Sequence, residues 1–186
     1  EINATGRFSL GYPRRDGGEQ INAKVVLQRW PMADLRHAFE MDDWPVDGLV
    51  SGEYVLTGEY ETPLGSGTMI IDEGVAYGET FDQATSNLKF EGNGVRLEKF
   101  EVRKSTGPGA VASANAGLMT GAAWIGWDGS YSFTAGGERI PVESLKTLEY
   151  PRAPLSGVMR FKASGAGTFD DPEYDELPHA RRVAEH

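Results

Sequence analysis

The 186-residue chain has no cysteine. That excludes a disulfide framework and any thiolate-held metal, and it leaves the redox compartment unread. Histidine is nearly as scarce. His37, His179 and His186 are scattered, and none has a second ligand near it at zinc-site spacing. No run of about 18 apolar residues occurs, so no spanning helix is expected, and no signal-peptide core is present. Positive charge is also short, with 18 Lys and Arg against 28 Asp and Glu, a formal charge of −10 and a pI of about 4.8. Nucleic acids and anionic lipid surfaces are held by clustered cations, so this balance weighs against both.

What is abundant is small and turn-forming: 24 Gly and 10 Pro beside 39% hydrophobic residues, a strand-and-turn composition rather than a helical bundle. One domain is expected at this length, large enough to bury a core or line a cavity. The stretch 123–135 organises the rest. Its odd positions are Ala123, Ile125, Trp127, Gly129, Tyr131, Phe133 and Ala135, with Gly126, Asp128, Ser130, Ser132 and Thr134 between them. Strand side chains alternate between faces, so this reads as one ribbon, apolar on one side, about 43 Å long. Asp128-Gly129 also fits a two-residue hairpin. The continuous strand is preferred because the odd register passes through the pair without a slip.

The same alternation recurs along the chain. Ile2 to Tyr12 and Ile21 to Leu27 form a predicted hairpin, and Val50 to Tyr60 is another ribbon. The chain is expected to turn at 62–66, at Asp72-Glu73-Gly74 and at 91–94. Val95 and Leu97 share a face, whereas Phe100 and Val102 have the other parity, which predicts a bulge at Glu98-Lys99. Two short helices are expected where proline opens them, at Pro31 with Met32, Leu35 and Phe39, and at Pro141. Around them an alternating strand, a proline-started helix, a Ser-Gly pair and a second strand occur twice, over about 21–60 and 123–165. The expected organisation is one β module, 1–176, holding two related strand–helix–strand repeats and cut from a longer polypeptide. Residues 177–186 form a polar tail.

No catalytic constellation is found, so the chain is read as not an enzyme, with no cofactor and no metal site. Ser86-Asn87-Leu88-Lys89 fits S-x-x-K, but it falls in a predicted strand and its partner motifs are missing. The acidic residues Asp170, Asp171, Glu173, Asp175 and Glu176 lack EF-hand spacing and read as a solvated turn.

Long one-sided strands must hide an apolar face. A closed β-sandwich packs two such faces together. An open, curled sheet lines a trough with them, which calls for a greasy occupant. The strand lengths and the shortage of lids favour the trough. Its acyl-binding wall is expected to comprise Phe8, Leu10, Val25, Leu27, Tyr54, Leu56, Ile125, Trp127, Tyr131, Phe133, Met159 and Phe161. Gly6, Gly52, Gly58, Gly129 and Gly157 would ease bending and leave room for a ligand.

Residues 154–157 (PLSG) and 164–172 (SGAGTFDDP) resemble segments that recur in the TamB/AsmA-like superfamily of bacterial envelope proteins. Residues 67–78 (GTMIIDEGVAYG) followed by Val95-Arg96-Leu97 are similar to that family's strand, turn and strand pattern. The resemblance covers most of 45–175. It implies a U-shaped β-groove in a periplasmic protein anchored in the inner membrane, conducting phospholipids between the two membranes. It also implies an Omp85-type outer-membrane partner, reached through regions outside this segment, and a link to assembly of outer-membrane β-barrels. The family brings no catalytic residues.

Overall fold

A computed structural model describes residues 1–8, 20–38, 42, 45–59, 61–104, 117–148 and 155–168. Period-two alternation lets each segment hide half of its side chains only as a strand, and nine strands form among the described residues. They are β1 (Ile2–Phe8), β2 (Gln20–Pro31), β3 (Val46–Glu59), β4 (Pro63–Ala76), β5 (Glu79–Glu91), β6 (Gly94–Lys104), β7 (Gly117–Gly126), β8 (Ser130–Pro141) and β9 (Val158–Thr168). Each pairs antiparallel with its neighbours in sequence, making one sheet ordered β1 to β9 that does not close on itself. The fold is all-β, as expected. The two-layer sandwich weighed as an alternative does not form, because all nine strands lie in one sheet. β2 to β9 run 10–14 residues, about twice the usual strand length.

The ribbon at 123–135 is not continuous. It is the β7–β8 hairpin, turning at Trp127-Asp128-Gly129, with Ile125 opposite Tyr131 and Ala123 opposite Phe133. Gly129 takes φ 81°, its N–H donates to the Gly126 carbonyl at 3.1 Å, and Asp128 Oδ1 accepts from the Ser130 N–H at 3.0 Å. Such a side-chain-supported turn is what Asp-Gly favours. Paired positions here sum to an even number, so odd residues face odd residues. The parity survives the turn, and it could not separate a hairpin from a strand.

A second correction concerns Asp72-Glu73-Gly74. β4 runs through it, with Glu73 at φ 54°, and the chain turns instead at Tyr77-Gly78. The bulge at Glu98-Lys99 forms where the parity switch places it: Asn87 pairs with Lys99 and Leu88 with Leu97, which leaves Glu98 as the extra residue. Two further irregularities share one pattern. Leu27 and Trp30 flank Arg29 at φ 45°, and Gly137 and Ile140 flank Arg139 at φ 54°; each arginine precedes an X-Pro pair that ends its strand, after which the chain leaves the sheet.

After Pro31 comes α1 (Met32–Ala38). After Pro141 come only two single 3-10 turns, Val142–Ser144 and Lys146–Leu148, rather than an α-helix. Helices this short are marginal alone, so packing holds them. α1 places Met32 and Leu35 on a small core of buried Leu27, Val50 and Ile71.

Candidate apolar binding face

The register decides which side chains share a surface. One row crosses the whole sheet as Ala4, Val25, Tyr54, Gly67, Leu88, Leu97, Ala123, Phe133 and Gly165, each directly opposite the next. The next row on that face is Ile2, Leu27, Gly52, Met69, Ser86, Phe100, Gly121, Ala135 and Ala163. Its one polar member is explained by the bulge, since Ser86 Oγ donates to the Lys99 carbonyl at 3.0 Å. Beside the first row, on the side away from the second and on the opposite face of the sheet, lie Thr5, Lys24, Val55, Ser66, Lys89, Arg96, Trp124, Ser132 and Ala166. Most charged side chains there are paired, including Lys24–Glu53 at 2.7 Å and Arg96–Glu91 at 2.8 Å.

Apart from α1 over Leu27, Val50 and Ile71, and residues 142–148 at one end, no second layer covers the apolar face among the described residues. Only Ala23, Leu27, Val50, Ile71, Leu88 and Ile140 are buried hydrophobics among the described residues, and much of the rest is half-buried. Eight inter-strand gaps of about 4.8 Å and some ten residues of length give a surface on the order of 1,000 Å², beyond the roughly 300–600 Å² patch of an ordinary monomer.

Nine of the twelve expected groove residues lie in strands on this face with described side chains: Val25, Leu27, Tyr54, Leu56, Ile125, Tyr131, Phe133, Met159 and Phe161. Phe8 pairs with Ile21 at the apolar register, and Leu10 lies outside the described residues. Trp127 does not line a strand. It sits in the β7–β8 turn, 48% exposed, with its ring N–H on the Gly92 carbonyl at 2.9 Å and its ring stacked on Phe90 at 6.5 Å. Phe90 in turn meets Tyr54 edge-on at 6.4 Å. Burial pushes the Tyr54 phenol up to about 12.

Sequence reasoning missed how the rings are seated. Seven strand aromatics stand directly opposite a glycine: Tyr54–Gly67, Phe81–Gly74, Phe90–Gly65, Phe100–Gly121, Tyr131–Gly167, Phe133–Gly165 and Phe161–Gly137. A Cβ on Gly121 would come within 2.6 Å of Phe100, and one on Gly165 within 2.8 Å of Phe133; on Gly137 it would overlap the Phe161 ring. All of these rings but Phe90 lie against the bare backbone of the neighbouring strand, the arrangement by which aromatics rescue sheet glycines. The glycines are therefore seats for rings more than room for a ligand. Gly52 fits this too, because a Cβ there would come within 2.9 Å of Tyr54 Cζ, whereas Gly157 meets nothing within 4 Å.

The chemical alternatives lose ground in the geometry. Ser86 and Lys89, three apart on a strand, face opposite sides, and Lys89 pairs with Glu91 at 3.1 Å. His37 lies 3.3 Å from Asp42, and no cluster of three metal-ligating side chains occurs among the described residues. The acidic group at 170–176, His179 and His186 lie outside them. No described helix is long and apolar enough to cross a membrane. The chain matches no protein-family model, no curated protein and no solved structure.

Proposed function

We propose that this chain is a segment of a periplasmic envelope protein whose apolar sheet face binds phospholipid acyl chains and conducts them between the inner and outer membranes. The face curls into an open groove in this reading, and the parent is anchored in the inner membrane. One observation carries the proposal: nine strands in one open sheet present a broad, mostly apolar face, and apart from α1 and residues 142–148 no second layer covers it among the described residues. Water in contact with a surface of that size is costly, and acyl chains satisfy it without directional bonds. The resemblance of the 154–172 and 67–97 segments to the TamB/AsmA-like superfamily supports the compartment.

The test is native mass spectrometry of the purified chain followed by lipid extraction, with Phe133→Asp as the variant. Stoichiometric phospholipid in the wild type, lost in a variant whose far-UV circular dichroism is unchanged, is the expected result. A lipid-free monomer that also refuses added phospholipid overturns the reading.

The open edge of β9 favours a second reading, a scaffold that receives a client strand by β-augmentation during assembly of outer-membrane barrels. β9 carries Arg160 and Lys162, and among the described residues neither has a carboxylate within ion-pair distance and no strand pairs with its outer edge. Crosslinking from β9 to an unfolded outer-membrane protein in lipid-free buffer would favour it over conduction.

A further inference from the structure

The segment after β8 reaches far across the sheet to a single side chain. Glu79, at the start of β5, accepts from the Lys146 N–H at 3.1 Å, the Thr147 N–H at 2.7 Å and the Thr147 hydroxyl at 2.6 Å. Its Oε2 also takes the Lys104 ammonium at 3.0 Å, and Lys104 donates to the Thr80 carbonyl at 2.6 Å. Getting from β8 to β5 means crossing β7 and β6, about 14 Å at the usual strand spacing. Lys104 stands at an apolar-face register position, two residues after Val102 and opposite Gly117, and its side chain is only 10% exposed. Residues 142–148 therefore run over the end of the apolar face.

The two ends of this crossing are held differently. On the β8–β9 side the Val142 N–H donates to the Gly157 carbonyl at 3.0 Å, and Glu143 accepts from the Gly157 N–H at 3.2 Å. On the far side Lys146, Thr147 and Leu148 are exposed, Leu148 at 40%. Burial alone would push the Glu79 carboxyl up, but its bonds to Thr147, Lys104 and Lys146 outweigh that and hold it down to about 2.

We propose that residues 142–148 form a strap, hinged at Gly157 and latched by Glu79, which closes the β5–β8 end of the apolar face and uncovers it when the latch opens. The role of the strap in ligand access rests on the reading of that face as an acyl-binding surface; the latch does not. Removing Glu79 alone would strand a buried ammonium, so the test pairs Lys104→Met with the double variant Glu79→Ala/Lys104→Met. The single variant keeps the latch and the double variant loses it.

Amide hydrogen exchange reads the latch. The Leu145 and Leu148 amides bond within the strap, to the Val142 and Leu145 carbonyls, and not to Glu79. In the double variant they are expected to exchange at least tenfold faster than in Lys104→Met, with Val142 at the hinge unchanged. If only Lys146 and Thr147 respond, Glu79 merely caps two amides and the latch is overturned. Association of cis-parinaric acid, a fluorescent fatty acid, reads access, and it should be several-fold faster in the double variant. Faster strap exchange with unchanged association would overturn the gate and leave the acyl-binding reading intact. Parinaric acid that binds neither form would sink both the gate and the acyl-binding reading, while exchange still decides the latch.

Discussion

Two connectors leave the sheet at equivalent places and are anchored by opposite physics. α1 follows a bulge at Arg29 and Trp30-Pro31, and the strap follows a bulge at Arg139 and Ile140-Pro141. α1 presses Met32 and Leu35 onto Leu27, Val50 and Ile71. Among the described residues the strap has no such core at its far end, and it is held there by one carboxylate with four donors around it. Apolar burial is non-directional and tolerates small shifts, so it makes a permanent lid. A carboxylate cluster depends on a few distances and on one charge, so it can be released as a unit. One backbone plan thus supplies a fixed cover at β2–β4 and a releasable one at β5–β8.

The comparison breaks most severely at its apolar end. Ile71→Ala removes a 5% exposed side chain beneath α1 and is expected to cost about 3 kcal/mol in chemical denaturation. Thr147→Val, which takes one hydroxyl from the strap, should cost about 1 kcal/mol or less. Equal losses would show that the two anchors do not differ in kind.

Next in size is the seating of rings on glycine. Gly137→Ala pushes a methyl into the Phe161 ring and is expected to destabilise by about 2 kcal/mol. Gly136→Ala faces the other way, its nearest neighbour being the Phe161 carbonyl oxygen at 3.7 Å, and it should be neutral or gain a few tenths of a kcal/mol. The measurement is the difference in thermal midpoint between the two variants. Similar midpoints would mean that Phe161 does not occupy the space beside Gly137.

The smallest effect separates the connectors by pH. The Glu79 carboxyl is held near 2 against an ordinary value of 4.5. A depressed carboxyl contributes stability above its unfolded value and loses it as pH falls through its folded one. The stability gap between Lys104→Met and Glu79→Ala/Lys104→Met should therefore hold from pH 7 to about 4.5 and shrink below it. The gap between wild type and Ile71→Ala, which involves no titrating group, should stay flat across the same range.

Much of this was legible residue by residue. Alternation at 50–60 and 155–163 announces strands, and the parity switch from Leu97 to Phe100 locates a bulge because an extra residue is the only way to keep both on one face. The same switch, Leu27 to Trp30 and Gly137 to Ile140, also marks the bulges at Arg29 and Arg139. The hairpin at 127–129 was signalled by Asp128-Gly129 but could not be chosen over a continuous strand, since a turn pairing odd with odd leaves the alternation intact. Glu79 was invisible as a latch because its partners lie 25 to 68 residues away in the chain.

The sequence by itself determined that the chain forms one-sided strands and which side chains go to which side. That follows from the two-residue repeat of an extended backbone, a purely local property. Only the tertiary structure decided that the strands make one open sheet, that rings settle on cross-strand glycines, and that Glu79 reaches the strap. Those depend on register, which sets neighbours between residues distant in the chain and which alternation within one strand cannot encode.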